Sequence, residues 1–327
     1  SRTGGEMPFP LFERICDQLE GGSIAREIHF HVMGEPFLYR RLADAVALAA
    51  SKGLTTVVTT NGSLLTRERV EELLRARLSR LVVSLQTPDA RSFEIRGARD
   101  LTFERYEDGL LAGIRHALSR DAPTRVVLGF RTTAFPKVQS PGQGHRILGT
   151  NEELREAMLS FARRALPRPP EGVERDRIEG LVAQATVTRW NVVHVNQRFA
   201  LESRPLGGWV KPRSGARFHP ATFGTCHALS EMFAILAGGE MTFCCMDEEG
   251  ETSVGNARTM ALADFFRHPE VLRVHRAFQR MRVVHPRCRV CLGEPGVILS
   301  LGHQVGSIFY EKVYRKHFKR EIGAPPA

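Results

Sequence analysis

The stretch EIHFHVMGEPFLYRRLADAVALAASKGLTTVVTTNG, residues 27–62, decides the fold. It opens on a short strand-like run, Glu27–Met33, which stops at Gly34-Glu35-Pro36. Residues Phe37–Lys52 then place Leu38, Leu42, Val46 and Ala49 at helical spacing and end at Gly53. Leu54–Thr60 is β-branched and ends in Asn61-Gly62, the mark of a second strand followed by a turn. Strand, helix and strand in that order make one crossover unit of a parallel sheet.

Outward from there the alternation continues. Thr66 stands where a helix cap is needed, with Val70, Leu73 and Leu74 on one face. Leu78–Leu85 reads as a strand, Phe103–Leu118 as a helix, and Arg125–Thr133 as a strand. Early strand starts recur about every 25–28 residues, the length of a strand, a crossover helix and two short loops. Functional side chains of such sheets gather at the carboxyl ends of the strands. Gly34-Glu35-Pro36, Asn61-Gly62, Ser84 and Arg131 stand at or near those ends. Further on, residues 135–150 read as a long loop, Asn151 as the cap of a helix running to Leu166, and 167–177 as a connector. Trp190–Asn196 reads as another strand, and 204–224 as the boundary to a C-terminal module.

At 327 residues, the chain exceeds the roughly 100–200 residues of one typical domain. A hydrophobic fraction of 42% and a charged fraction of 25% exclude a disordered chain and a collagen-like fibre. No run of 18 apolar residues occurs, so no membrane-spanning helix is expected. The net charge of +10 would suit an anionic substrate or an acidic partner. Without a basic tail, nucleic acid is not the expected partner; solvated helix faces account for the arginines.

Five of the six cysteines fall in the last third: Cys226, Cys244, Cys245, Cys288 and Cys291. This clustering points to a metal site in a reducing compartment rather than to a disulfide framework. A hairpin turning at Gly238-Gly239 would bring Cys226 and Cys244 together, and Cys288-Arg-Val-Cys291 supplies two thiolates from one tight turn. Four thiolates suit tetrahedral zinc or an iron–sulfur cluster. Cys16, between Leu11, Ile15 and Leu19, reads as a small buried hydrophobe. Cys245 reads equally as a packed or a reactive thiol.

Together these pieces resemble a known family. Gly34-Glu35-Pro36, Thr60-Asn61-Gly62 and Val83-Ser84-Leu85 resemble the core of radical S-adenosylmethionine (radical SAM) enzymes. Cys226-x12-Gly239-x4-Cys244, Cys-Cys-Met-Asp, Val254-Gly255-Asn256-Ala257 and Cys288-x2-Cys291 resemble that superfamily's SPASM/twitch extension. The resemblance implies an α/β fold: a partial (β/α)6 TIM-like barrel, with a small C-terminal twitch/SPASM-like module of a β-hairpin and a helix. The expected domains are a barrel over 1–203, a cluster domain over 204–295 and a helical tail over 296–327.

The resemblance also implies cofactors. Gly34 and Glu35 would hold the methionine ammonium of S-adenosyl-L-methionine (SAM), since a carboxylate suits an ammonium. Ser84 would bond the ribose, Arg96 would clamp the methionine carboxylate bidentately, and Asn61 and Arg131 would wall the pocket. Cys226, Cys244, Cys288 and Cys291 would hold one auxiliary [4Fe–4S] cluster, the shorter twitch arrangement. The family's Cys-x3-Cys-x2-Cys loop for the radical SAM [4Fe–4S] cluster normally precedes a stretch like Arg2–Pro8; with Ser rather than Met at residue 1, it is expected upstream of this sequence. Asp247 would act as a base or cap the following turn, and Cys245 could return a hydrogen atom. His29 and His31 share a strand face as polar lining.

The implied chemistry is reductive cleavage of SAM to a 5′-deoxyadenosyl radical that takes a substrate hydrogen. The outcome would be oxidation or epimerisation of a carbohydrate- or aminocyclitol-like natural-product intermediate. The alternatives are a peptide-modifying enzyme, or a non-catalytic four-cysteine metal-binding scaffold docking a partner or nucleic acid. A reductant such as flavodoxin or ferredoxin and a cytoplasmic setting complete the expectation.

Overall fold

After α1 (Phe9–Leu19) the chain alternates strand and helix: β1 (Glu27–His29), α2 (Leu42–Ser51), β2 (Thr55–Thr60), α3 (Arg67–Arg75), β3 (Arg80–Leu85), α4 (Ala90–Phe93), α5 (Phe103–Ser119) and β4 (Arg125–Thr132). There follow α6 (Asn151–Ala165), α7 (Gly172–Val182), β5 (Trp190–His194) and β6 (Phe199–Pro205). The structure is a computed structural model and describes residues 5–85, 88–93, 101–133, 148–205, 218–314 and 319–324.

Among the described residues, seven strands form one open, barrel-like mixed sheet, in the order β1-β2-β3-β4-β6-β5-β11, where β11 is Lys319–Ile322. The first four strands and β6 are parallel. The last two places are filled differently from a pure six-fold repeat. β5 runs antiparallel to β6, and β11 pairs parallel with β5.

The two faces of the sheet divide by strand alternation. Val58, Leu81, Val83, Val126, Leu128, Phe130, Val193 and Leu201 turn to one face and pack with Leu73, Leu110, Ile114, Met158 and Phe161 from the helices. Ser84, Arg131, Glu202 and Arg204 fall on the other face, where they are half-buried or exposed. Thr66 caps α3 by accepting the Arg69 N–H.

Several expectations are corrected. The helix expected over 37–52 is a 3₁₀ turn at Pro36–Leu38 followed by α2, because Tyr39 is extended. Thr150, not Asn151, caps α6: its hydroxyl accepts the Glu153 N–H, and Glu153 reaches back to the Thr150 N–H. Asn151 instead accepts the Val187 N–H, at 2.9 Å. Part of the expected connector 167–177 is the first half of α7, which starts after Glu171.

The chain divides into two compact units. One is the sheet unit, residues 27–31, 35–207 and 319–327; the other takes residues 1–26, 32–34 and 208–318. The second unit contains α1, β7 (Phe218–His219), β8 (Ala234–Ile235), β9 (Met241–Thr242), α8 (Leu262–Arg267), α9 (Pro269–Gln279), α10 (Pro286–Cys291), β10 (Glu294–Pro295) and α11 (Val297–Phe309). The Arg14 guanidinium donates to the Ala257 carbonyl and Gln18 accepts the Leu262 N–H, which ties α1 into this unit. Its strands are two residues long and pair as β8–β9 and β10–β7.

The hairpin turn at Gly239 has φ +97°. A Cβ there would stand 2.4 Å from Asn256 Oδ1, so only glycine fits beneath the Gly255-Asn256-Ala257 segment. That segment is stitched to the hairpin by Met241 N–H to Gly255 and Ala257 N–H to Gly239. The tail is not purely helical: after α11 the chain returns to the large sheet as β11. α11 buries its polar side. Ser300, Gln304 and Ser307 are buried, while Val297, Ile298, Leu301, Val305 and Phe309 are exposed. The Gln304 carbonyl accepts the Thr222 and Phe223 N–H groups, and Ser307 accepts the Thr225 N–H.

Candidate functional site

The carboxyl ends of β1 and β2 meet at Glu35. Its Oε1 accepts the Thr60 hydroxyl at 2.8 Å and the Phe37 N–H at 3.2 Å, and its Oε2 accepts the Asn61 N–H at 2.8 Å. A carboxylate offers about four acceptor sites. Three are filled from its own chain, so the group is held in one orientation with a site left on Oε2. Thr60 is itself oriented, since its hydroxyl accepts the Gly62 N–H. Gly62 has φ +82°, and a Cβ there would lie 3.0 Å from Leu110. The Asn61-Gly62 turn is thereby pressed onto α5, where Tyr106 donates to the Asn61 carbonyl at 3.0 Å.

Ser84 and Arg131 carry this rim onward. Ser84 pairs in register with Gly129 on β4, and Arg131 with Arg204 on β6. Burial and the Arg204 cation push the Arg131 guanidinium below its ordinary value, and Glu202 opposes them. Gly34 and Asn61 are exposed. Arg96 lies outside the described residues. His29 and His31 rings are 5.9 Å apart, and burial together with His29 lowers the His31 pKa.

In the second unit all the cysteines are free thiols. Cys226 stands before the β8–β9 hairpin and Cys244 just after it; Cys288 and Cys291 sit on α10, one helical turn apart, rather than in the expected tight turn. Burial pushes the Cys226 thiol up to about 11 and Cys244 to about 12, with Cys288 pushed up further. Negative charge on Cys291 raises all three, so the four sulfurs lie within one another's electrostatic reach. The Ala228 N–H donates to Cys226 Sγ at 3.4 Å.

Such a set fits a group that carries positive charge and accepts thiolates. Among the described residues, no three His, Cys, Asp or Glu side chains gather closely enough for one metal ion. A tetrahedral zinc with 2.3 Å bonds would hold its sulfurs about 3.8 Å apart. A cubane, with an iron at each corner, spreads its thiolates wider. Four thiols are the donor set of either a tetrahedral zinc or a [4Fe–4S] cluster.

The sequence matches agree with this geometry. The radical SAM superfamily matches residues 2–131, and the SPASM iron–sulfur cluster-binding domain matches residues 226–292. The chain belongs to the radical SAM superfamily and carries a SPASM domain. Superfamily members use SAM and a [4Fe–4S] cluster, and SPASM domains bind auxiliary iron–sulfur clusters.

A tungsten-containing aldehyde ferredoxin oxidoreductase cofactor-modifying protein of Pyrococcus furiosus is 36% identical over 69 residues. That match covers 21% of this chain and 19% of the relative, so the chain spans about a fifth of that protein's length. Among solved structures, Streptococcus suis SuiB bound to precursor peptide SuiA is 14% identical, with a TM-score of 0.51 over 85% of this chain and 62% of SuiB. BtrN in complex with AdoMet and 2-DOIA is 13% identical, with a TM-score of 0.43 over 86% of this chain and 77% of BtrN. The likeness to SuiB is one of fold.

Within the SPASM region, Asp247 is 1% exposed. Its Oδ2 accepts the Thr252 N–H at 2.7 Å and the Thr252 hydroxyl at 2.6 Å, and its Oδ1 accepts the Glu251 N–H at 3.0 Å. Of the two expected roles, this geometry favours capping the turn. Cys245 packs its sulfur 3.7 Å from Met232 Sδ, and burial raises its pKa. Two features escaped the sequence reading. Thr60 orients Glu35, although its motif had been singled out. Arg204 stands beside Arg131, hidden in a stretch read as a boundary.

No helix among the described residues is long and apolar enough to cross a membrane.

Proposed function

We propose that this enzyme carries out a two-electron oxidation of its substrate by hydrogen-atom abstraction. Four thiols within electrostatic reach of one another in the SPASM unit support this reading, for a cluster held by them would be an electron acceptor besides SAM. When bound, SAM and its reducing cluster supply hydrogen abstraction from an unactivated carbon, and the auxiliary cluster supplies a one-electron store.

The chain's own residues bind, orient and insulate. The remaining acceptor site of Glu35 takes the SAM ammonium, with Gly34 beside it, while Asn61 and Arg131 line the pocket and Ser84 takes the ribose. Arg96 is assigned the methionine carboxylate. Cys226, Cys244, Cys288 and Cys291 hold the auxiliary cluster. A reductant of the flavodoxin or ferredoxin type and a cytoplasmic setting suit such oxygen-labile groups.

Epimerisation is the second reading. It is favoured by Cys245, a free thiol next to Cys244 whose sulfur lies 3.7 Å from Met232 Sδ and which would return a hydrogen atom as S–H.

The test uses anaerobic full-length enzyme with dithionite and SAM. Wild type is expected to release 5′-deoxyadenosine, and Glu35→Ala to release at least about a hundredfold less, as the loss of a charged contact to an ammonium implies. Equal release by both would refute the Glu35 assignment. Once a turned-over substrate is in hand, solvent deuterium in the product would replace oxidation with epimerisation.

A further inference from the structure

We propose that the carboxyl ends of β4 and β6 form a receptor for an oxyanion, a carboxylate or phosphate group carried by the substrate, with Arg131 and Arg204 as its two guanidinium donors. The inference rests on the radical SAM reading above and adds the substrate's chemical class to it.

The sheet builds this receptor by register. Arg131 on β4 stands opposite Arg204 on β6. β5 is antiparallel to β6, with Asn191 opposite Ser203, so Trp190 falls beside Arg204. β11 then places Lys319 opposite Trp190. Four neighbouring strands thus present Arg131, Arg204, Trp190 and Lys319 in one row along one edge. The Arg204 guanidinium lies 4.0 Å from the Trp190 ring centroid and Lys319 Nζ 5.2 Å from it. This is the edge where ligands of parallel sheets bind.

The charges of the row are unequally met. Lys319 pairs with Glu321 at 2.6 Å, and Arg204 pairs with Glu202. Arg131 has no hydrogen-bond or ion-pair partner among the described residues, although it is partly buried beside a second cation. Two guanidiniums side by side repel, Glu202 offsets this in part, and an anion in the row would offset the rest.

Guanidinium pairs bind oxyanions through forked, charge-assisted hydrogen bonds. The other half of the rim has the opposite character, because Glu35 offers an acceptor to a cation. The rim is therefore polarised, cation-accepting at β1 and β2 and anion-accepting from β4 to β11. A polycationic aminocyclitol would meet repulsion in the second half, whereas an acidic peptide segment, a sugar acid or a phosphorylated intermediate would not.

The test uses the full-length holoenzyme carrying Trp209→Phe, which leaves Trp190 as the only tryptophan. Inorganic phosphate and succinate are titrated separately, with SAM at saturation and at constant ionic strength, while Trp190 emission is followed. Saturable quenching is expected from at least one, and the tighter of the two identifies the group. Arg131→Gln and Arg204→Gln should each weaken it about tenfold or more, the effect of losing one charged hydrogen bond. Arg131→Lys, which keeps the charge but not the fork, should weaken it less. It also guards against misfolding of the glutamine variant. Absence of saturation with both anions, or an Arg131→Lys curve equal to wild type together with an unchanged Arg131→Gln curve, would overturn the proposal. SAM cleavage on the same wild-type sample keeps the two readings apart. Cleavage without anion binding defeats the receptor alone, whereas anion binding without cleavage defeats the radical SAM reading.

Discussion

In the sheet unit, a continuous apolar layer of Val58, Leu81, Val126, Leu128 and Phe130 meets Leu110, Ile114 and Phe161 from the helices. In the SPASM unit, the strands are two residues long, and much of the chain is fixed by single polar groups. Asp247 ties one turn, Gln304 holds two backbone N–H groups, and Asn256 closes over Gly239. Apolar burial grows with area and tolerates local loss, whereas a scaffold of short elements needs cross-links. The difference teaches that the sheet unit rests on one continuous apolar layer, while the SPASM unit adds polar cross-links to a smaller core of Phe243, Leu262, Phe265, Val274 and Phe278.

Two substitutions sharpen that contrast. The larger effect belongs to Phe130→Ala, whose side chain is 2% exposed in the sheet core. It should cost about 3–5 kcal/mol, read in the Trp209→Phe background as a lower urea midpoint for Trp190 emission, with the visible absorbance of the auxiliary cluster lost at its usual midpoint. A parallel fall in both signals would mean that the two units do not differ in what holds them. Asp247→Ala comes next. It strands three donors of a buried turn and should cost about 2–3 kcal/mol. Here the loss should appear in the cluster absorbance, with the Trp190 transition in place. An unchanged cluster transition would remove Asp247 from the account of that unit.

What the sequence made legible follows the same division. Strands β1 to β4 announce themselves because β-branched runs end in turn residues. Thr66 could be read as a cap for the same local reason. β6 and β11 could not. Phe199–Pro205 mixes Glu and Arg into its run, and Lys319–Ile322 has four residues with little pattern. Both are strands because of partners far away in sequence, β11 through a pairing with β5. α7 hid behind the proline-rich segment before it, and α10 behind the reading of Cys288 and Cys291 as a turn, although Pro286 stands at its first position.

The site shows the limit of motifs. Glu35 was found by its Gly-Glu-Pro setting, but the three donors that orient it come from Phe37, Thr60 and Asn61, two of them at the end of the next strand. Arg204 carried no local signal, because its importance comes from standing beside Arg131 in the sheet. Spacing found the four cysteines; their mutual electrostatic influence emerges only once the chain is folded.

The most direct measurement is the iron and acid-labile sulfide content of anaerobically reconstituted full-length enzyme, set against a variant with Cys226, Cys244, Cys288 and Cys291 all changed to Ala. The account predicts a difference of four irons and four sulfides per chain, the content of one [4Fe–4S] cluster. Equal iron in the two proteins, or zinc in place of iron at those cysteines, would contradict it.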